Sequence, residues 1–136
     1  MASDELEALL EEWAAAWSAH DVERLVELFA EDCVHEDVTL GVVNRGREEV
    51  KAFAEGVFTA FPDFRVEQTA RFAAGGWGGA EWAISGTHLG QFPGIEPTGK
   101  SFSIRGASVF ELSGGRIRRN SDYYGWDMAA FLRQQD

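Results

Sequence analysis

Asp122 lies in the segment 116–124 (RIRRNSDYY), which reads as a strand opened by a turn at Gly114 and Gly115. Successive side chains of a strand alternate faces, so Asn120, Asp122 and Tyr124 share one side. Two preceding segments each carry an apolar side: Trp82, Ile84, Gly86 and His88 in one, Phe102, Ile104, Gly106, Ser108 and Phe110 in the other. If these faces continue one another in a sheet, a carboxylate points into an apolar hollow. An isolated buried carboxylate is costly and tends to hold its proton more tightly, which suits general acid–base chemistry. The alternative is a carboxylate in water, or one paired with Arg105 or Arg118.

The elements that would position Asp122 follow from periodicity. Leu6, Leu9, Leu10, Trp13 and Trp17 recur at helical spacing over residues 4–19. The break at residues 18–21 (SAHD) leaves Asp21 to cap a second helix reaching Phe29, with Leu25, Val26, Leu28 and Phe29 on its buried side. A short strand is expected over residues 33–38, then a loop closed by Asn44, Arg45 and Gly46. A third helix runs from Arg47 to Phe61 and stops at Pro62. Strands are expected over 64–73, 80–89, 101–112 and 116–124, with turns at Gly75–Gly79, Gly90–Gly99 and Gly114–Gly115. Asp127 caps a last helix, 128–134. Helices followed by a run of antiparallel strands predict an α+β domain, its helices on one side of a curved sheet.

At 136 residues, 45% of them hydrophobic, the chain is one domain, residues 1–136, with a substantial core. Five Trp, two Tyr and ten Phe are more rings than packing alone requires and suit a walled pocket. The single Cys33 excludes an internal disulfide, and no Cys/His spacing predicts a metal site. The net charge of −11 is concentrated in residues 1–37, where twelve acidic residues face Arg24 alone. An acidic chain without a basic stripe argues against nucleic acid and anionic membranes as partners. The acidic start carries no signal-peptide pattern and no apolar run is long enough to span a bilayer, so a cytoplasmic protein is expected. There is no GxGxxG, P-loop or GxSxG pattern and no repeat. The glycine-rich stretch around Trp77 sits between strands, where a phosphate cradle would need a helix behind it.

The order of elements resembles the cone-shaped, barrel-like fold of ketosteroid isomerase and nuclear transport factor 2. Within it, residues 30–37 (AEDCVHED) and 86–100 (GTHLGQFPGIEPTGK) resemble the SnoaL-like polyketide cyclases and limonene epoxide hydrolase. The pattern continues through Val109-Phe110, Gly115 to Ile117 and Asp122 to Tyr124, and Phe61 to Phe64 (FPDF) belongs to it as well. This resemblance implies that Asp122 is the acid–base residue. His35 and Asp37 fall where the hydrolase holds its water, and Asp37 falls near the general base of ketosteroid isomerase. His88 stands where the hydrolase has an Arg-x-Asp pair and is the candidate replacement acid. Trp13 replaces the isomerase's oxyanion tyrosine, which argues against steroid isomerisation.

The expected catalytic set is therefore Asp122, Asp37, His35 and His88. Tyr124 and Asn120 are candidate donors to a substrate carbonyl, and Trp17, Trp82, Ile84, Ile104 and Phe58 are candidates for the walls. Trp126 is placed at the cavity mouth. The chemistry expected is cofactor-independent proton abstraction beside a carbonyl of a small hydrophobic molecule, leading to aldol-type closure or a related lyase or isomerase step. Epoxide hydrolysis and non-catalytic binding are the alternatives. The resemblance also implies a homodimer through the outer face of the sheet.

Overall fold

In the computed structural model, which describes residues 3–134 apart from residue 93, three helical segments and one short terminal helix pack against six strands. The first two and last two residues of the expected domain, and Pro93 of the 86–100 motif, lie outside the described residues. The order is α1 (Ser3–Ala19), α2 (Val22–Glu27), β1 (Phe29–Asp37), β2 (Val42–Arg45), α3 (Gly46–Ala60), β3 (Arg65–Ala74), β4 (Trp77–Thr87), β5 (Ser101–Ser113), β6 (Arg116–Tyr123) and α4 (Met128–Arg133). The strands form one curved, unclosed sheet in the order β2-β1-β6-β5-β4-β3. Neighbours are antiparallel except β1 and β6, which run parallel. This is the α+β architecture that the helix-then-strand order predicts.

Local chemistry explains most element ends. α1 stops where His20 turns into the left-handed region at φ 56°, its ring Nε2 2.8 Å from the Phe64 carbonyl. Asp21 then caps α2 by accepting from the Arg24 backbone N–H, and Asp127 caps α4 by accepting from that of Ala130. At the start of α3 the Glu49 carboxylate reaches back to accept the Arg45 N–H at 2.8 Å.

Three boundaries differ from the sequence reading. The second helix ends at Glu27, because Phe29 opens β1 and lies opposite Ile117 of β6, both fully buried. Its place in a helical period with Leu25 was coincidental; a ring buried between strands satisfies the same apolar pattern. The loop before Gly46 contains β2, whose residues 42–45 pair with β1. β4 begins at Trp77 instead of residue 80, so the tight turn is confined to Gly75 and Gly76.

α1 lies over β3 and reaches β4, while α3 lies over β1 and β2. The concave face of the sheet and these helices enclose the core, with Leu10, Leu25, Phe29, Phe110 and Ile117 fully buried. The same concave face positions the polar cluster.

Candidate active site

Strand register brings the acidic residues together. Ala80 of β4, Ser108 of β5, Asp122 of β6 and Asp37 of β1 are successive partners across the sheet. Paired residues on adjoining strands are about 5 Å apart, so Asp37 and Asp122 sit side by side on the concave face. The next row runs Gly78, Phe110, Asn120 and His35.

Asp122 is not the isolated carboxylate that alternation alone suggests. Its Oδ1 accepts from Ser108 Oγ at 2.6 Å and Asn120 Nδ2 at 2.7 Å, and its Oδ2 lies 2.8 Å from His35 Nε2. Each donor is held in turn. Ser108 Oγ accepts the Trp82 indole N–H at 2.8 Å, and Asn120 Oδ1 accepts that of Trp13 at 3.0 Å. Asn44 Nδ2 donates to His35 Nδ1 at 3.1 Å, which leaves the imidazole proton on Nε2, facing Asp122. Gly106 makes the Trp82 reach possible: a Cβ there would fall 2.5 Å from the indole ring, which lies across β5 on its way to Ser108.

Asp37 has a separate environment. Its Oδ1 accepts the Leu40 N–H at 2.8 Å, and the Tyr124 hydroxyl donates to Oδ2 at 2.9 Å. Burial pushes the Asp37 carboxyl above its ordinary value and the negative charge of Asp122 adds to this, while Leu40, Tyr124 and His35 pull the other way. Burial, then the neighbouring carboxylates, push the Tyr124 phenol far up, so it remains a neutral donor.

Asp37, Asp122 and Tyr124 open onto a cavity of about 510 Å³ whose other walls are apolar, among them Trp13, Trp17, Phe53, Phe61, Trp82 and Ile84. Among the described residues no Lys, Arg or His lines it. Among the described residues no group of three or more His, Cys, Asp or Glu converges as metal ligands would.

Of the residues singled out from sequence, Asp122, Asp37, Tyr124, Trp17, Trp82 and Ile84 line this cavity. The others do not. His35 is 1% exposed and stands behind Asp122, and Asn120 is fully buried with its amide engaged by Trp13 and Asp122. Phe58 stacks on His20 at 4.1 Å instead of facing the cavity, and Ile104 packs against the core. Trp126, which the sequence reading placed at the cavity mouth, packs on Phe102 and Phe131 and is not among the lining residues.

His88 departs furthest from its expected role. It is fully buried, accepts the Thr98 backbone N–H at 3.2 Å through Nδ1, and has the Thr98 hydroxyl 3.0 Å from the same atom. Its ring lies among Phe61 and Phe92, and burial pushes its pKa down. It ties down the long loop between β4 and β5 and is absent from the cavity wall.

A model of the SnoaL-like polyketide cyclase family matches residues 7–135. The chain belongs to that family. Solved structures agree on the fold. A proposed polyketide cyclase from Xanthomonas campestris pv. campestris superposes with a TM-score of 0.83 at 20% identity, covering 97% of both chains. TsrD from Streptomyces laurentii gives 0.82 at 22% identity, over 98% of this chain and 96% of its own. AclR from Streptomyces galilaeus, a proposed hydroxylase, gives 0.80 at 23% identity, over 96% and 85%. At such identities the likeness shows the fold alone, and a shared fold hosts different reactions.

In this SnoaL-like chain, sequence reasoning missed Asn44, which sits on the unrecognised β2 and sets the His35 tautomer. It also treated Ser108 only as a member of an apolar face. A polar residue at an inward position of an otherwise apolar strand was the available signal for Ser108. For Asn44, a residue type rare in strands, there was none.

Proposed function

We propose that this SnoaL-like protein is a cofactor-independent acid–base enzyme acting on a small, uncharged, largely apolar carbonyl compound. The observation that carries the reading is the pairing of Asp122 and Asp37 on adjoining strands at the one polar wall of an apolar cavity. Asp122 is the base. It takes a proton from the carbon beside the substrate carbonyl, steadied by His35, Ser108 and Asn120. Charge then develops on the carbonyl oxygen, where the Tyr124 hydroxyl, or an Asp37 carboxyl that burial makes hold its proton more tightly than usual, donates to it. The enol carbon bonds to a second carbonyl carbon of the same molecule. The alkoxide formed there takes up the proton from Asp122, so closure is an isomerisation with no net loss of atoms. Without a second carbonyl, reprotonation at another carbon gives an isomerase step from the same groups.

Two carboxyl groups and, among the described residues, no cation make the cavity unfavourable for an anionic ligand, which favours an uncharged substrate. Epoxide opening, the other chemistry implied by the resemblance, relies on His88 as the acid, and His88 lies outside the cavity wall. A purely binding role predicts no dependence of any reaction on Asp122.

The test is α-hydrogen exchange. α-Tetralone and related uncharged bicyclic ketones are incubated in D₂O with the protein, and loss of the α-proton signal is followed by NMR. The wild type is expected to accelerate exchange, and Asp122→Asn to reduce that rate by about 10² to 10⁴, the usual contribution of a positioned base. Equal rates with wild type and variant would remove the catalytic reading and leave the binding one.

A further inference from the structure

Among the described residues, two of the cavity wall differ from the rest in being solvent-exposed: Ala52 and Gly56, one turn apart on the same side of α3. The other lining residues are buried or half-buried. A wall position that is also on the surface marks the place where the cavity meets solvent.

Gly56 is otherwise unexplained. Glycine within a helix is the least favourable residue after proline, because it loses the most backbone freedom and contributes no side-chain packing. A glycine often answers to a close neighbour, as Gly90 does in the loop after β4, where a Cβ would fall 1.9 Å from the Thr59 carbonyl oxygen. At Gly56 a Cβ would meet nothing within 4 Å, and its φ is not in the left-handed region. Neither packing nor backbone conformation demands a glycine there. What the missing side chain leaves is open space at the rim of the cavity.

We propose that Gly56, with Ala52, forms the portal of the cavity and sets the bulk of the ligand admitted to the Asp37–Asp122 wall. The proposal rests on the reading of this cavity as the ligand site, though not on the chemistry performed there. It implies a ligand with a broad apolar ring system, passing over α3 as it enters.

The test uses the uncharged fluorescent probe N-phenyl-1-naphthylamine, with association followed by stopped flow in wild type, Gly56→Ala, Gly56→Leu and Glu55→Leu. Glu55 is exposed on the same helix and does not line the cavity, so Glu55→Leu controls for added apolar surface. Gly56→Ala is expected to raise the melting temperature, since no contact opposes it. Gly56→Leu is expected to fold as well as wild type and to slow probe association by about tenfold or more, as a barrier raised by a single side chain would. Glu55→Leu is expected to associate at the wild-type rate. The proposal is overturned if Gly56→Leu associates as fast as wild type, or if the wild type takes up no probe at all. Uptake needs no turnover, so probe association in the wild type still reports on the portal even where the catalytic reading fails.

Discussion

At Asp37, burial acts in one direction and the hydrogen-bond donors in the other, with burial the larger. The folded carboxyl therefore binds its proton above the model value of 3.8, whereas the unfolded one titrates near that value. From 3.8 up to the raised value the folded chain holds more protons than the unfolded chain, so stability falls as pH rises through that window. Below 3.8 both states are protonated and the contribution is flat. Asp37→Asn keeps an oxygen for Leu40 and Tyr124 but cannot ionise. Urea unfolding is expected to show the variant gaining stability relative to wild type as pH rises from 4 to 7, with a flatter profile across the window. A variant that tracks the wild-type slope would mean Asp37 is solvated. Both carboxylates accept hydrogen bonds on both oxygens, and at Asp37 burial outweighs those donors.

Elements determine which of the predicted residues meet. Alternation identified the inward face of β4, β5 and β6, and the face it indicated is the one observed: Trp82, Ile84, Ser108, Asn120 and Asp122 all point inward. A period of 2 reports the side of the sheet, though, and not the position along the strand. His88 shares parity with Trp82 yet lies beyond the end of β4, under the loop that returns to β5. Ile84 lines the cavity and its cross-strand partner Ile104 does not, although alternation puts both on the inward side. On helices the apolar stripe is broad, so spacing could not separate Phe53, which lines the cavity, from Phe58, which stacks on His20. The parallel pairing of β1 with β6, which brings Asp37 beside Asp122, has no local signature and was not expected; the resemblance implied only that both residues belong to the site. If His88 is an anchor of the β4–β5 loop, His88→Ala is expected to cost about 1–3 kcal/mol, since it strands the Thr98 N–H and opens a cavity. Measured by urea denaturation, that loss should accompany α-exchange activity close to wild type once the variant is fully folded. Loss of activity in the folded variant would return His88 to the chemistry.

On the scale of the whole molecule, charge and apolar surface are segregated. Acidic residues crowd α1, which covers the concave side through Trp13 and its bond to Asn120. The opposite, convex side of β4, β5 and β6 is nearly balanced, with Glu81 and Glu111 against Arg105 and Arg119, and Arg119 bonded to Glu111 at 2.6 Å. That side also presents large rings to solvent: Phe72 at 66% exposure, Trp77 at 54% and Tyr123 at 45%. A chain of net charge −11 repels its own copies wherever its acidic layer meets them, so self-association is least opposed on the convex side. We propose that a second copy covers this face, the occupant whose charge balance and exposed rings match it by symmetry. Sedimentation equilibrium is expected to give about twice the chain mass of 15.0 kDa. Trp77→Glu places a carboxylate in the middle of the apolar rings and takes the cation–π partner from Arg119, without touching the concave core. It is expected to sediment as a 15.0 kDa monomer with an unchanged circular dichroism spectrum. Because the cavity lies on the other side of the sheet, probe uptake over Gly56 should survive in that monomer. A variant that stays dimeric, or a wild type that is monomeric at all concentrations, would show that the rings on this face are not a self-association surface.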